Sequence, residues 1–110
     1  MVAFDVFAKQ CPSRAVFSHV TGRWGALVLG KLSTTPQRFW ELRKEVEGIS
    51  DRMLTQTLKV LAGDGLVARA MSDEKPAHPE YALTPAGEAV ANAVRALVDA
   101  VQDNMPEQVA

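Results

Sequence analysis

Cysteine and histidine are scarce in this chain, with one cysteine and two histidines among 110 residues. A single thiol, Cys11, excludes a framework of intramolecular disulfides and a zinc site made from several cysteines. His19 and His78 do not have the spacing of metal ligands. We therefore expect neither a metal nor a cofactor, and Cys11 remains a buried thiol, a reactive thiol or one half of a bond between subunits.

Long apolar runs are also missing. No stretch approaches the length of about 20 residues that a helix needs to cross a bilayer, and the first residues lack the charged start and apolar core of a signal peptide. We therefore expect a cytoplasmic protein without a membrane partner. A chain of 110 residues makes one domain and is too short for a separate sensor domain, so that any regulation acts on the same small fold.

The net charge of −1 is small, but the charges are unevenly distributed along the chain. Residues 9–75 hold eleven Lys or Arg against seven Asp or Glu, a balance of +4, whereas residues 76–110 hold one against five, a balance of −4. Because the electrostatic part of nucleic-acid binding depends on local charge, this asymmetry suggests a face for phosphate. Alone it is weak support, since mixed charge on helices usually marks a solvated surface.

The segment 38–69 has the pattern of two helices joined by a tight turn and followed by a strand. We predict a first helix from Gln37, with apolar residues three or four apart on one face. Gly48 is the permissive residue that a sharp turn needs, and Ser50 caps the second helix. That helix buries one face, made by Leu54, Leu58 and Leu61. This order of elements is the skeleton of a winged helix-turn-helix.

Two helices are predicted before that segment. Residues 1–10 show no clear period and form an N-terminal arm, after which Pro12 begins a short helix that ends near Gly22. A largely apolar helix then runs over residues 23–32. Its bulky apolar residues are expected to form the floor on which the helix-turn-helix packs: Trp24, Leu27, Val28 and Leu32.

A hairpin and a long helix are predicted after the helix-turn-helix. Strands over residues 66–71 and 80–83 enclose a polar loop with two prolines, and this hairpin is the wing. Thr84 caps a last helix of about five turns. The domain spans residues 11–104, and residues 105–110 form a C-terminal tail.

These elements predict a mainly α fold with a small β-hairpin wing, an α+β winged helix-turn-helix with N- and C-terminal dimerisation helices. A lone helix-turn-helix touches only a few base pairs, so useful specificity normally requires a dimer. We expect the long last helix to pair with the first helix of a partner. The alternative is that both helices only close the core of the monomer. The predicted dimer residues are Val16, Phe17, Val20, Val90, Val94, Leu97, Val98 and Val101.

Short motifs over about residues 10–100 also resemble those of a known family. They are Cys11-Pro12, Gly22-Arg23-Trp24, residues 38–42, Gly48-Ile49-Ser50, residues 53–56, Asp64-Gly65-Leu66-Val67 with Arg69, and Tyr81-Ala82-Leu83-Thr84 with Gly87. In this order they resemble the HxlR family of bacterial transcriptional regulators. The resemblance implies a homodimer that binds a palindromic double-stranded DNA operator, usually as a repressor. In one departure, Ala100 stands where members often carry tryptophan.

The outward face of the second helix carries side chains suited to reading DNA. Arg52 suits guanine, Gln56 suits adenine, and the methyl group of Thr55 suits thymine. The predicted base contacts, in the first turns of this helix, are Ser50, Arg52, Thr55 and Gln56. The predicted phosphate contacts are Arg38, Arg43, Lys44 and Lys59, with Lys75 and His78 reaching the DNA from the wing. The alternative for each is an ordinary solvated residue.

Cys11 stands immediately before Pro12, at the predicted N-cap of the first helix. The helix macrodipole there favours the thiolate, and Lys9 and Arg14 add positive charge nearby. Because several members of the HxlR family sense quinones, aldehydes or oxidants through a cysteine in this context, the resemblance implies that Cys11 senses an electrophile or oxidant. The products would be a disulfide across the dimer, a mixed disulfide or an alkylated thiol. The alternative is an inert thiol.

Three other functions compete with that of a DNA-binding regulator with a reactive thiol. A thiol enzyme is not expected, because no base is recognisable beside Cys11 and no oxyanion-type loop accompanies it. A regulator gated by a small molecule, with a pocket between the dimer helices and an inert Cys11, keeps the DNA function. A winged helix that binds protein instead of DNA fits the near-neutral charge, but the presence of Arg52 and Lys59 on the recognition face is against it.

Overall fold

The computed structural model describes residues 3–106, so residues 1 and 2 of the predicted arm and residues 107–110 of the predicted tail lie outside the described part. It contains five helices and one two-stranded antiparallel hairpin, which confirms the mainly α fold with a wing. No helix in this part is long and apolar enough to cross a membrane. The elements are α1 (Pro12–Thr21), α2 (Gly25–Leu32), α3 (Phe39–Glu45), α4 (Asp51–Gly63), β1 (Val67–Met71), β2 (Pro79–Leu83) and α5 (Pro85–Asp103).

The fourth and fifth helices begin where polar side chains satisfy free backbone amides. The hydroxyl of Ser50 accepts a hydrogen bond of 3.1 Å from the amide of Met53 at the start of α4. At the start of α5 the hydroxyl of Thr84 accepts one of 3.0 Å from Gly87, and Pro85 follows at the first helical position. Both predicted caps are therefore confirmed.

The start of α3 differs from the prediction that Gln37 begins this helix. Gln37 instead forms an isolated antiparallel bridge with Tyr81 of the wing, with N···O distances of 2.9 and 2.7 Å. Its buried side chain donates to the carbonyl of Lys31 at 3.0 Å. Because backbone pairing with the wing holds Gln37 in an extended conformation, α3 begins two residues later, at Phe39.

The core is built from buried apolar residues of α2, α3, α4 and α5 together with the base of the wing. Leu54, Leu58 and Leu61 form the buried face of α4, as predicted. Val28 and Leu32 are buried in α2, but Leu27 is 47% exposed, so the prediction that it forms part of the core floor was wrong. Helical periodicity turns Val28, Leu29 and Leu32 inward and leaves Leu27 on the opposite side.

Two glycines determine how neighbouring elements meet. Gly48, in the turn between α3 and α4, has φ of +91°, a conformation that other residues rarely adopt. At Gly87 a side chain would collide with the backbone of Leu66, so glycine allows the first turn of α5 to approach the segment that leads into the wing. α5 then packs mainly along α2.

Candidate nucleic-acid interface

The exposed face of α4 lies opposite its buried leucines. Arg52, Gln56 and Lys59 are spaced four and three residues apart, so their exposed side chains form one stripe along the outside of the helix. Ser50 is exposed at the helix start, where its hydroxyl serves as the cap. A helix with its N-terminal turns free and a polar outer stripe can enter a major groove and reach base edges.

A groove of ≈ 390 Å³ separates α4 from the wing. Thr55 lies on its α4 side, and Arg38, Trp40, Arg69 and His78 contribute to the other walls. Trp40 is 58% exposed, an unusual degree for the largest apolar side chain. Prediction from sequence missed Trp40 and Arg69 as site residues, although Arg69, the one charged residue of β1, belongs to a motif that resembles the HxlR family.

A second groove of ≈ 590 Å³ lies on the other flank of α4, between this helix and the junction of α1 with α2. Gln56 and Met53 line it from α4, and Arg23 and Trp24 line it from the junction. The guanidinium carbon of Arg23 lies 4.8 Å from the centre of the Trp24 ring, a cation–π arrangement. Arg23 is not among the site residues predicted from the sequence, where it belongs to the Gly22-Arg23-Trp24 motif and begins an apolar helix.

Among the predicted phosphate contacts, Arg43 is paired with an acidic residue. Its Nε atom lies 2.6 Å from a carboxylate oxygen of Asp51 in the first turn of α4, and both side chains are more than half exposed. Exposed ion pairs contribute little net free energy, so exchanging Asp51 for a phosphate costs little. Lys44 and Lys59 are exposed, and within residues 3–106 neither forms an ion pair.

The two predicted wing residues lie in different environments. Lys75 is exposed in the loop between β1 and β2. His78 has a side chain only 15% exposed, with Nδ1 2.8 Å from a guanidinium nitrogen of Arg38 and Nε2 3.5 Å from a carboxylate oxygen of Glu80. Since arginine can only donate, Nδ1 accepts, and His78 connects the wing to the start of α3.

Cys11 is half-buried at the N-cap of α1, as predicted, but its surroundings differ from those expected. Its sulfur lies 3.2 Å from the hydroxyl of Ser13 and accepts a hydrogen bond of 3.3 Å from the amide of Asp5. The bond to the Ser13 side chain, followed by bonds to the backbone of Asp5 and Ser13, lowers the pKa of the thiol below its ordinary value; desolvation and the charge of Asp5 act weakly in the opposite direction. Arg14 instead approaches the carbonyl of Phe7 at 3.4 Å.

An apolar groove of ≈ 780 Å³ lies between α1 and α5, bordered by the residues that precede α1. This groove is on a different surface from the stripe of α4. Within residues 3–106, its lining shares no residue with the lining of either groove beside that helix. Its largest apolar residues are Phe4, Val6, Val16, Phe17, Val20, Val90, Val94 and Leu97.

The predicted dimer residues fall into three classes of exposure. Phe17, Leu97 and Val101 are 52%, 58% and 53% exposed, which leaves them available to a partner. Val20 and Val94 are only 8% and 6% exposed, since they line the same groove and also hold α1 and α5 onto the core of the monomer. The half-buried residues, which pack against the core, are Val16, Val90 and Val98.

Comparisons with known proteins agree with this geometry. A model of the HxlR-like helix-turn-helix family matches residues 19–109. The chain is 46% identical over 106 residues to the HTH-type transcriptional regulator YtfH of Escherichia coli K12, covering 96% of this chain and 84% of YtfH. A structure of the regulator YtfH from Salmonella typhimurium matches at 44% identity with a TM-score of 0.84, covering 97% of this chain and 96% of that one. The redox regulator HypR in its oxidized form matches at 28% identity with a TM-score of 0.75, covering 87% and 99%.

Proposed function

The chain belongs to the HxlR-like helix-turn-helix family of DNA-binding transcriptional regulators, which are not enzymes, and we propose that it binds a palindromic operator as a homodimeric repressor. Its main support is the exposed stripe of α4, where a capped N-terminus, a guanidinium and an amide all face solvent. Arg52, Thr55 and Gln56, with Ser50, read bases, and Lys59 contacts a phosphate.

The remaining DNA contacts come from the elements beside α4. Arg38, Arg43 and Lys44 contact phosphates from α3 and its N-cap, and Lys75 contacts one from the loop of the wing. The contribution of His78 is indirect, because its ring is bonded to Arg38 and faces Glu80. It positions the wing against α3 so that Arg38 and the hairpin meet DNA together.

Dimerisation is proposed through the apolar groove between α1 and α5. Phe17, Leu97 and Val101 expose large apolar surfaces that become favourable to bury when a second copy covers them. The dimer places two α4 helices about 34 Å apart, one turn of B-DNA, so that each reads half of a palindrome. A protein in this position on a promoter blocks access by RNA polymerase, which is the simplest route to repression.

Cys11 is proposed as the sensor of an electrophile or oxidant. Its lowered pKa increases the fraction of reactive thiolate, and the matched protein HypR is a redox regulator. Pro12, the next residue, lines the apolar groove, so that modification of the thiol acts beside the proposed dimer contact. The modified dimer then holds its two α4 helices at a spacing that no longer fits the operator.

The first test is a fluorescence-anisotropy titration against the intergenic DNA upstream of the gene and against a scrambled duplex, with and without diamide. We expect tight, salt-dependent binding to the upstream DNA, a weaker affinity for the scrambled duplex, and loss of the preference after treatment. Equal affinity for both duplexes would contradict operator recognition and favour a protein-binding winged helix. Binding that survives diamide would contradict the thiol sensor only.

A regulator gated by a small molecule is the second candidate, because the groove between α1 and α5 is large and almost wholly apolar. Cavities of about 300–1,000 Å³ are typical of small-molecule sites. In that case Cys11 is inert, and an apolar ligand changes the dimer geometry instead of the thiol. Normal DNA binding that diamide leaves unchanged, and that an apolar compound releases, would support this candidate.

A further inference from the structure

We propose that Arg23 and Arg69 hold the two phosphate backbones that border a single major groove, one on each side of α4. This assignment rests on the proposed function, because it requires α4 to enter duplex DNA. It adds a sequence-independent grip to the base contacts of α4. Neither arginine is among the phosphate contacts predicted from the sequence.

The positions of the two grooves beside α4 support this arrangement. One groove has Gln56 on its α4 wall and Arg23 on the opposite wall, and the other has Thr55 on its α4 wall and Arg69 opposite. When a helix inserts into a major groove about 12 Å wide, the two sugar-phosphate backbones pass along its two flanks. The protein therefore has one surface groove available for each sugar-phosphate backbone of the DNA.

The charges in the two grooves favour an anion. Although Asp and Glu number 13 in the chain, against 12 Lys and Arg, neither lining contains an acidic side chain from residues 3–106. Each lining contains one histidine, and each histidine is paired with a nearby carboxylate. Asp64 lies 2.7 Å from His19, and Glu80 lies 3.5 Å from His78. In the described part of the chain no ion pair involves Arg23 or Arg69. Each groove thus offers an unneutralised guanidinium, which binds phosphate with two parallel hydrogen bonds.

Arg23 also has a neighbour that restricts its motion. The guanidinium of Arg23 stacks over the ring of Trp24 at 4.8 Å, so less side-chain freedom is lost when it binds. On the wing side, Arg69 lies on β1 in register with Tyr81 and shares its groove with Arg38, which His78 holds at 2.8 Å. The exposed ring of Trp40 provides an apolar wall for the sugar units of the same backbone.

The test measures the salt dependence of binding to a mixed-sequence duplex of about 30 base pairs, from about 0.05 to 0.3 M KCl. Each lost phosphate contact reduces the slope of log K against log salt by about 0.9. We expect that reduction for Arg23→Gln and for Arg69→Gln, and about twice as much for the double variant, because the two contacts lie on different backbones. Arg95→Gln is the matched control, since it removes the same charge from α5, outside both grooves.

Charge-conserving variants separate contact with phosphate from an effect on folding. Arg23→Lys and Arg69→Lys should keep the salt slope of the wild-type protein. All variants should keep the wild-type ratio of operator affinity to random-DNA affinity. Slopes for the glutamine variants equal to that of Arg95→Gln would overturn the assignment, as would lysine variants that lose as much as the glutamine ones. If the unmodified protein binds no duplex at all, the proposed function fails first, and the two failures are therefore distinguishable.

Discussion

The outer face of α4 and the groove between α1 and α5 are both exposed, yet they present opposite chemistry. The face of α4 presents Arg52, Gln56 and Lys59 to solvent, whereas the groove presents Phe17 and Leu97. Polar side chains are well hydrated until they exchange water for another polar partner. Burial of an apolar surface away from water, by contrast, lowers the free energy. The first surface therefore suits an intermittent ligand such as DNA, and the second suits a permanent partner.

The proposed DNA-binding and dimer surfaces therefore lie on separate parts of a very small chain. The two surfaces have no residue in common, so substitutions can remove one property and leave the other measurable. Five predictions test these two surfaces and the thiol beside the groove.

The largest effect is expected from Leu97→Glu in the apolar groove. Leu97 is 58% exposed in the monomer, so the fold tolerates a charge there, but a dimer interface does not. We expect a monomer by sedimentation equilibrium and a loss of operator affinity of about 10²–10⁴-fold, since the two recognition helices no longer bind together.

Leu27→Glu is the matched control for Leu97→Glu. Leu27 is 47% exposed on α2 and does not line the apolar groove, so this variant should remain dimeric and bind the operator normally. Equal behaviour of the two variants would contradict the assignment of the groove as the dimer interface.

A smaller effect is expected from Arg52→Ala on α4. A bidentate contact to a base is worth about 1–3 kcal/mol, and its loss should lower affinity for the operator while leaving affinity for random DNA nearly unchanged. Lys59→Ala, by comparison, should weaken binding to both DNAs alike, since a phosphate contact carries no sequence information. Anisotropy titrations on both duplexes measure the two ratios, and equal losses on both DNAs for Arg52→Ala would exclude base reading by this residue.

Ser50→Ala separates capping from base contact at one position. Loss of an N-cap costs about 1 kcal/mol of folding free energy, and Thr84→Ala should cost a similar amount because it removes the equivalent cap of α5. If Ser50 also reads a base, only Ser50→Ala will lose operator preference after correction for folding. Urea denaturation measures the first quantity and anisotropy the second; matching DNA affinities would limit Ser50 to capping.

The smallest expected effect is a shift in the pH dependence of Cys11 alkylation. Its pKa lies below the ordinary value, and the thiolate is the reactive form, so the rate should persist to lower pH than that of a free cysteine. Ser13→Ala should shift the pH–rate profile to higher pH, because the bond to the Ser13 hydroxyl is the main cause of the lowered pKa. Mass spectrometry with iodoacetamide measures the rates, and Arg14→Ala, with no effect expected, is the control.

A response that depends on the thiol should also disappear in Cys11→Ser. That variant should bind the operator normally and ignore diamide. A serine variant that responds like the unmodified protein would make Cys11 a bystander and leave the apolar groove as the source of regulation.

Local rules predicted the helix-turn-helix well. The buried face of α4, the Ser50 cap and the turn at Gly48 all depend on residues within a few positions of one another, and all were confirmed. The predicted start of α3 at Gln37 was wrong because the residue that pairs with Gln37, Tyr81, is distant in the sequence. The prediction that Leu27 is buried was wrong because hydrophobicity alone does not show which side of an apolar helix faces the core.

The sequence by itself determined the order of the elements, their caps and the polar stripe of α4, because helical periodicity and capping act over one or two turns. Only the tertiary structure decided that Val20 and Val94 belong to the monomer core and that His78 holds Arg38. It also decided that Arg23 and Arg69 lie in grooves on opposite flanks of α4. The physical reason is that burial and charge pairing depend on which distant segments pack together, and that packing minimises the free energy of the whole chain at once.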